Sequence, residues 1–323
     1  MWKLRSVLSF AAVVPGMAQK GHMIPSQLHK TNHLERTGHI ERQEAKVPAE
    51  IISVKNATPT VKTFLFRPPS SSVTLFHFLP GQWLDVFIPS VPVVGGFSIT
   101  STPLQYSRTN TFELAIKYST HPPAKWFHEM AKTGDLVEVR VGGDFVWNEE
   151  KEHEEGTKRV VFIAGGVGIN PLISMVGAIL ESSGVDQRGD DDFIDREKIR
   201  KDDDLENHLT KIRLLYSART FDELLFYERI EKMRNEWSDL LECKYFLTRD
   251  DPPHSLATNF GKEFYYRQRI NREVLNELVE KERPNMDRLK CFVCGPPQMQ
   301  DDLIKYLREA GMDEKKILFE KWW

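Results

Sequence analysis

The 323-residue sequence predicts two domains, an N-terminal antiparallel β-barrel followed by an α/β domain built on a doubly wound parallel sheet. Over residues 49–146, short runs of β-branched and aromatic residues are separated by Pro, Gly and Ser, a pattern typical of a small antiparallel barrel or sandwich. Beyond residue 158, short apolar strands alternate with helical stretches, which indicates right-handed βαβ units and therefore a parallel sheet. A hydrophobic content of 40% and a charged content of 28% are those of a globular protein.

The barrel domain is expected to span residues 46–150. We predict its strands at Ala49–Val54, Val61–Phe66, Trp83–Ile88, Phe112–Lys117 and Leu136–Val141. A highly charged stretch, Asn148–Lys158, comes after the last of these strands. We interpret this stretch as the linker to the second domain.

The second domain is expected to span residues 156–323. We predict its strands at Arg159–Ala164, Ile212–Ser217, Lys244–Leu247, Cys291–Val293 and Ile317–Phe319. We predict its helices at Pro171–Glu181, Phe221–Glu236 and Gln298–Glu309. Residues 184–210 interrupt this pattern with two acidic triplets, Asp190–Asp192 and Asp202–Asp204, so we expect a solvated, flexible insertion there.

The N-terminal segment has the composition of a targeting signal. The first 34 residues contain no Asp or Glu, and four of them are Lys or Arg. Acid-free amphipathic N-termini of this kind direct import into mitochondria. We therefore expect residues 1–40 to be a targeting or disordered segment and the protein to lie in the mitochondrial matrix. A secretory signal with Phe10–Val14 as its apolar core, or a plain disordered tail, remains an open alternative.

Charge and cysteine content exclude several classes of function. The net charge of −3 gives no broad electrostatic basis for binding nucleic acid, and no apolar run approaches the length that spans a bilayer. Three cysteines are too few for a disulfide scaffold. Cys291 and Cys294 lie three residues apart in a predicted strand, so their side chains should face opposite sides of the sheet. We therefore expect no metal centre and no disulfide.

The strongest functional signal is a Gly-rich turn between a predicted strand and a predicted helix. Glycines at such a junction allow the backbone to approach a phosphate closely, and a proline in the first helical turn sacrifices no needed hydrogen bond. The free N–H groups and positive dipole of the helix then favour a pyrophosphate. We predict nucleotide contacts from Gly165, Gly166, Val167, Gly168, Ile169, Asn170 and Pro171.

Four motifs occur in an order that resembles the ferredoxin–NADP reductases and cytochrome b5 reductases. The turn at Gly165–Pro171 resembles their pyridine-nucleotide turn, and three other segments match in order, at Phe78–Trp83, Tyr216–Arg219 and Cys294–Met299. The resemblance covers about residues 48–323 apart from the acidic insertion. It implies a flavin-binding barrel with FAD as cofactor and NAD(P)H as electron donor.

By this resemblance, the segment Gly95–Ser101 holds the flavin ring. Phe97 would stack on the isoalloxazine, Ser98 would hydrogen-bond flavin N5, and Thr100 would contact the cofactor from the same segment. An aromatic ring against the flavin and a hydroxyl near N5 are chemically sufficient for these roles.

The two motifs that bind the flavin phosphates in the family are altered in this sequence. Gly95 stands where the family has Arg, so a charge-assisted bidentate contact is missing. His121–Ala124 stands where the family has Gly-x-x-Ser/Thr, and Lys117 and Lys125 are the cations that would compensate. Tight binding of FAD, binding of FMN or weak flavin, and loss of flavin therefore remain open.

The resemblance also implies which residues face the nicotinamide nucleotide. Cys294 would lie beside the nicotinamide, Glu320 would orient it or relay a proton, and Trp322 would shield the flavin where the nicotinamide docks. Further cofactor contacts are implied for Arg219, Arg249, Gly295, Pro296 and Met299. Arg249 would lie near the adenosine ribose, but it is equally an ordinary solvated arginine, so NADH and NADPH both remain open.

The predicted activity is hydride transfer from NAD(P)H to bound flavin, with release of electrons to an unknown acceptor. We predict Ser98, Cys294 and Glu320 as the catalytic residues. A first alternative, favoured by Gly95 and Ala124, is a family fold that has lost tight flavin and serves as a nucleotide sensor or assembly partner. A second is the reductase module of a multicomponent chain with a separate acceptor protein. Any iron–sulfur centre would then lie on that partner, because the cysteine spacing for one is missing here.

Overall fold

The computed structural model of the chain describes residues 32–72, 75–184, 210–249 and 264–321. Within these residues the backbone forms two six-stranded sheets that follow one another along the chain. The first sheet is antiparallel, and the second is parallel with helices on both faces. None of the described helices is long and apolar enough to cross a membrane.

The first sheet is the predicted barrel. Its strands are β1 (Val47–Thr58), β2 (Val61–Arg67), β3 (Trp83–Phe87), β4 (Gly95–Ser98), β5 (Phe112–Lys117) and β6 (Leu136–Gly142). The strand order is β4-β3-β6-β1-β2-β5, and a bridge between Ile99 and Leu114 joins the chain that follows β4 to β5. The two end strands of the sheet are therefore neighbours, which closes the sheet into a barrel.

Alternation along the strands determines which side chains fill the barrel. In β1, Val47, Ala49 and Ile51 are buried, whereas Pro48 and Glu50 between them are exposed. Successive side chains of a strand point to opposite faces, so one face collects the apolar residues. Full burial of a valine or isoleucine side chain stabilises the fold by roughly 1.5–3 kcal/mol.

Three short helices complete this half of the molecule. They are α1 (His33–Arg36), α2 (Pro103–Thr109) and α3 (Pro122–Glu129). Helix α3 covers the end of the barrel, because its Phe127 is fully buried with its ring centroid 4.8 Å from that of Phe64.

Helix α1 lies within residues 1–40, which were expected to form a targeting or disordered segment. The His33 side chain is 7% exposed and packs edge to face on Trp83, with 4.6 Å between the ring centroids. Asp85 is fully buried beside it and accepts hydrogen bonds from Arg42 at 2.8 Å and from Arg140 at 2.7 Å. These contacts fasten the segment to the outer face of β3.

The second sheet has the predicted parallel architecture. Its strands are β7 (Arg159–Gly165), β8 (Lys211–Ala218), β9 (Leu241–Leu247), β10 (Tyr265–Tyr266), β11 (Leu289–Gly295) and β12 (Ile317–Lys321). The strand order is β10-β9-β8-β7-β11-β12. The chain runs outward from β7 to β10 and then returns to add β11 and β12 on the other side. The order of the strands therefore reverses between β7 and β11, where ligands of such sheets bind.

Helices cover both faces of this sheet. They are α4 (Glu149–Glu154), α5 (Ile169–Ser182), α6 (Tyr227–Glu236), α7 (Arg272–Glu282) and α8 (Pro297–Glu309). One buried cluster contains Cys294 together with residues of α5 and α6, and another contains Cys291 together with residues of α7 and α8. The two cysteines of β11 therefore face opposite sides of the sheet, as predicted from their spacing.

The charged stretch interpreted as a linker is not a free connection, because it contains helix α4. The Asn148 side chain accepts a hydrogen bond from the N–H of Lys151 and so caps the helix. Glu152 is 3% exposed and accepts a hydrogen bond of 2.7 Å from the ammonium group of Lys290 in β11. This buried ion pair fastens the stretch to the second sheet.

The helix predicted at Phe221–Glu236 is shorter than expected. A 3-10 turn covers Phe221–Glu223, and α6 begins only at Tyr227, because Phe226 has a positive φ of 62° that interrupts helical geometry. Several other predictions lie outside the described residues: the leader over residues 1–31, the acidic insertion over residues 185–209, and Trp322 with Trp323.

Candidate nucleotide and flavin site

The Gly-rich turn lies where β7 and β11 end side by side. Ala164 pairs with Cys294, so the turn after β7 meets the Gly-Pro segment after β11. A Cβ atom added to Gly168 would lie 2.2 Å from the carbonyl oxygen of Cys294, and one added to Gly295 would lie 3.1 Å from the Cα of Gly165. Glycine is therefore required at this crossing because the two backbones touch.

Gly166 has a different role in the same turn. Its φ is +54°, and a Cβ atom added there would meet nothing within 4 Å. The Gly166 backbone therefore faces open space, where a phosphate group can approach it. Helix α5 starts three residues later, and its N-cap Gly168 provides no side-chain cap. The N-terminus of α5 therefore adds a partial positive charge to the same region.

A cleft of about 440 Å³ extends from this turn along the ends of β7, β8 and β9. Six of the predicted cofactor-binding residues line it: Gly165, Gly166, Val167, Arg219, Pro296 and Met299. Val61 and Lys117 of the barrel also line it, so the cleft is shared between the two halves of the molecule. This cleft is also lined by residues that were not predicted as cofactor contacts: Ser217, Thr248, Arg269, Asn271 and Tyr306.

The predicted contacts at Gly168, Ile169, Asn170 and Pro171 lie behind the turn and are buried. Asn170 donates a 2.7 Å hydrogen bond from its side-chain amide to the carbonyl of Ala115 in the barrel. One turn later in α5, the Ser174 hydroxyl donates to the carbonyl of Ser101 at 2.7 Å. The first turns of α5 therefore fix the nucleotide domain against the barrel.

Arg219 and Arg249 follow two adjacent strands and are held side by side. The backbone N–H of Arg249 donates a 2.8 Å hydrogen bond to the carbonyl of Arg219, and both side chains are exposed. Arg269 lines the same part of the cleft. Of the two predicted arginines, Arg219 lines the cleft and Arg249 does not. Guanidinium groups such as those of Arg219 and Arg269 suit the bidentate binding of a phosphate.

Cys294 and Glu320 are neighbours at the ends of β11 and β12. They pair in the parallel register, and Cys294 is fully buried. Burial, and secondarily the negative charge of Glu320, raises the pKa of the Cys294 thiol well above its usual value of 9.0. The thiol is therefore protonated at neutral pH, which makes it a neutral and polarisable group.

Gln300 joins the two strand ends and was not predicted from the sequence. Its side-chain amide donates hydrogen bonds of 2.7 Å to the carbonyls of both Gly295 and Glu320, and the residue is fully buried. The sequence feature that could have identified Gln300 is its position in the first turn of the helix that follows the Cys-Gly-Pro-Pro segment. Gln300 therefore ties the end of β11 at Gly295 to the backbone of Glu320 in β12.

On the barrel side, Ser98 lies at the end of β4 with 5% of its surface exposed. Its hydroxyl forms no hydrogen bond with any residue in the described ranges, so it can bond to a ligand. The half-buried Phe97 ring stands edge to face against Phe127, with 5.5 Å between centroids. Thr100 is fully buried, and its hydroxyl donates at 2.8 Å to the carboxylate of Glu113.

A charged group from the nucleotide domain reaches this same segment. Arg229 of α6 donates a 3.3 Å hydrogen bond to the carbonyl of Thr100 and lies 3.7 Å from the carboxylate of Glu113. Burial lowers the pKa of Arg229, and the nearby carboxylates of Glu113 and Glu181 oppose that effect. This contact was not predicted, because it depends on how the two domains pack.

The two segments that resemble flavin phosphate motifs contact each other. A Cβ atom added to Gly95 would lie 2.8 Å from the Cβ of Pro123 and 2.5 Å from the Phe97 ring. An arginine at position 95 therefore does not fit. Pro122 and Pro123 occupy the first two positions of α3 and carry no N–H groups. The segment expected to contact the flavin ring keeps Phe97 and Ser98, whereas the segments expected to bind the flavin phosphates, at Gly95 and His121–Ala124, lack the family's contacts.

Comparison with known sequences extends the similarity through both sheets. Residues 162–305 match the domain family described as "Oxidoreductase NAD-binding domain". The chain is 34% identical over 298 residues to "Oxidoreductase NAD-binding domain-containing protein 1" of Xenopus laevis, covering 92% of this chain and 86% of that protein. The human protein of the same name is 34% identical over 294 residues, covering 91% of this chain and 85% of that protein.

Solved structures share the same two-part fold at low sequence identity. A cytochrome P450 reductase from Amycolatopsis superposes with a TM-score of 0.61 at 18% identity, covering 86% of this chain and 69% of that chain. A ferredoxin NADP+ reductase from Neisseria gonorrhoeae with bound FAD and NADP superposes with a TM-score of 0.57, also at 18% identity, covering 86% of this chain and 99% of that chain. These similarities confirm the predicted fold class.

Proposed function

Because the chain belongs to the family of the oxidoreductase NAD-binding domain-containing proteins, we propose that it is a flavin-dependent NAD(P)H oxidoreductase. It takes a hydride from NAD(P)H and passes electrons to an acceptor, which we propose to be a separate molecule, a protein or a small molecule. The observation that carries this proposal is the cleft at the strand reversal between β7 and β11, which Gly166 of the nucleotide turn and Lys117 of the barrel both line.

Each half of the site has a distinct task. The Gly166 backbone and the α5 N-terminus bind the pyrophosphate of the nucleotide, and Arg219 with Arg249 holds its adenosine end. Glu320, whose carbonyl Gln300 holds, and the buried Cys294 next to it are assigned to the nicotinamide end. When bound, the flavin supplies the hydride acceptor and the site from which electrons leave.

Ser98 is the residue that the proposal assigns to the flavin ring. Its hydroxyl lies at the end of β4, is nearly buried and has no partner among the described residues. It therefore donates a hydrogen bond to the ring at little cost, since no existing bond must be broken. The protonated Cys294 thiol adds no negative charge to that of Glu320 at the nicotinamide end of the site.

The location of the protein in the cell is a separate proposal, and it rests on the sequence alone. The acid-free composition of the first 34 residues is that of a mitochondrial import signal, and we place the protein in the mitochondrial matrix on that ground. Import of a fusion of residues 1–40 to a reporter protein tests this placement without reference to catalysis. A reporter that stays outside mitochondria contradicts it.

A second candidate function is a nucleotide sensor or assembly partner that lacks turnover. The altered phosphate end of the flavin site, at Gly95 and Pro123, favours it. The two functions differ in what Ser98 contributes, because a sensor needs only the nucleotide cleft.

Substitution of Ser98 distinguishes the two. With NADPH or NADH, added FAD and ferricyanide as acceptor, Ser98→Ala should lower kcat by at least about tenfold, since a polarising hydrogen bond to the reacting group is lost. Ser98→Thr keeps the hydroxyl and should retain most of the activity. Nucleotide affinity and thermal unfolding of both variants should match those of the unaltered protein. Absence of turnover in the unaltered protein, while NAD(P)H still binds, would argue for the sensor.

A further inference from the structure

The groove between β4 and the start of α3 is closed. These are the two segments whose family counterparts bind flavin phosphates, and Gly95 and Pro123 meet there in van der Waals contact. Both residues are buried. The Phe97 ring fills the remaining side of the gap, because its edge lies 2.5 Å from the position of a Cβ atom on Gly95. A diphosphate has no space between these residues.

The same segments offer almost no hydrogen-bond donors. Pro122 and Pro123 lack N–H groups, so the first turn of α3 loses two of the donors that a helix N-terminus normally presents. The next residue, Ala124, has no hydroxyl and is buried. The N–H of Lys125 already donates to the carbonyl of His121 at 2.9 Å. The usual means of binding a phosphate at a helix start are therefore missing.

Positive charge near this groove is largely committed to other partners. Arg42 donates to the buried carboxylate of Asp85 and to two backbone carbonyls. His33 packs where Gly96 has no side chain, and burial lowers its pKa to about 4, so it is neutral at pH 7. The ammonium group of Lys125 lies 3.8 Å from the carboxylate of Glu129.

The part of the site that is expected to contact the flavin ring is different, because the Ser98 hydroxyl there is available for a hydrogen bond. Ser98 is 5% exposed, and its hydroxyl has no hydrogen-bond partner in the parts of the chain that the structure describes. Phe97, beside it, leaves part of its ring accessible. A flat aromatic ligand with a hydrogen-bonding edge matches this pair.

We infer that this chain recognises flavin through the isoalloxazine ring and not through the diphosphate, so that riboflavin, FMN and FAD bind with similar affinity and exchange with solution. The inference rests on the proposed function and adds the part of the flavin that is recognised. It differs from the tight FAD binding that the resemblance implies, and Gly95, Pro122 and Pro123 are the residues responsible for the difference.

Titration of the full-length protein, freed of endogenous flavin, with riboflavin, FMN and FAD tests this directly. Quenching of flavin fluorescence reports the dissociation constant of each, at low and at high ionic strength. We expect the three constants to agree within about threefold, because a single charge-assisted contact to phosphate would separate them by tenfold or more. We also expect the ratio of the FAD and riboflavin constants to be insensitive to salt, since ionic contacts are screened by it.

Variants separate ring contacts from phosphate contacts. Ser98→Ala should weaken binding of all three flavins by the same factor. Lys125→Ala should leave the ratio of the FAD and riboflavin constants unchanged, because this cation would reveal a phosphate contact if one were made. A selective loss of FAD binding in Lys125→Ala would overturn the inference.

The outcomes also separate this inference from the proposed function. Binding of FAD at least tenfold tighter than riboflavin, or FAD that remains bound in stoichiometric amount through gel filtration, overturns ring-only recognition and leaves the flavoenzyme proposal intact. Failure of all three flavins to bind, while NAD(P)H still binds, overturns both.

Discussion

Gly166 and Gly168 stand two residues apart in one turn, but their environments require glycine for different reasons. At Gly168 the space for a side chain is taken by the backbone carbonyl of Cys294, 2.2 Å from the position of a Cβ atom. At Gly166 the surrounding space is open, and glycine relieves the strain of a φ of +54°. Glycine at position 168 is therefore required for backbone packing, whereas glycine at position 166 leaves space for a ligand.

Substitution of each glycine by alanine should separate stability from binding. Gly168→Ala should lower the free energy of unfolding by about 1–3 kcal/mol, because β7 and β11 must move apart to accommodate a methyl group. Gly166→Ala should cost about 1 kcal/mol of backbone strain but weaken NAD(P)H binding by at least about tenfold, since its methyl group projects toward the cleft. Urea unfolding and nucleotide titration measure the two effects. Unchanged nucleotide affinity in Gly166→Ala would contradict the position assigned to the pyrophosphate.

At the scale of elements, α1 is held to the barrel by a group that titrates in an accessible range. His33 has its pKa lowered from 6.5 to about 4, chiefly by burial, with opposition from Asp85 and smaller contributions from Arg42, Arg36 and His121. The folded state therefore keeps the imidazole neutral, whereas the unfolded chain protonates it below pH 6.5. The stability contributed by this group is present above pH 6.5 and is lost as the pH falls from 6.5 toward 4.

This linkage predicts how acid affects the unaltered protein and a His33→Phe variant. Between pH 7.5 and pH 5, the unaltered protein should lose on the order of 2 kcal/mol of unfolding free energy that His33→Phe does not lose. Phenylalanine retains an aromatic contact with Trp83 but cannot be protonated. Urea unfolding at the two pH values gives the difference. Parallel losses in the two proteins would show that His33 is not the titrating group.

Across the whole molecule, structural features that depend on a few neighbouring residues were predicted better than features that depend on contacts between distant residues. Ten of the twelve strands in the described residues, and the turn after β7, follow from periodicity and from glycine and proline placement, which act over a few residues. The short strands β4 and β10 were not predicted. Helix α4 was missed because Lys290, the cation that pairs with its buried Glu152, lies 138 residues away in the sequence. A charged stretch therefore resembled a linker until its partner was known.

In the candidate site too, residues in local motifs were predicted, whereas residues that act through long-range packing were not. The resemblance gave the residues that line the cleft at the strand ends, such as Gly166 and Met299. Gln300 and Arg229 act across strands or across the two domains, so no local pattern identified them. Asn170 was predicted as a nucleotide contact, but its side-chain amide donates instead to the carbonyl of Ala115 in the barrel. The closure of the phosphate groove by Pro123 also depends on how α3 packs against β4. The departures at Gly95 and Ala124 were visible in the sequence, but their structural consequence was not.

The central claim is that one cleft holds NAD(P)H and flavin close enough for hydride transfer between them. The most direct measurement is the visible absorption spectrum of the full-length protein with added FAD, recorded anaerobically before and after NADH or NADPH. We predict that one or both nucleotides bleach the flavin bands, and that Gly166→Ala slows this bleaching at equal nucleotide concentration. Flavin bands that persist after addition of nucleotide, in protein shown to bind both ligands, would contradict the claim.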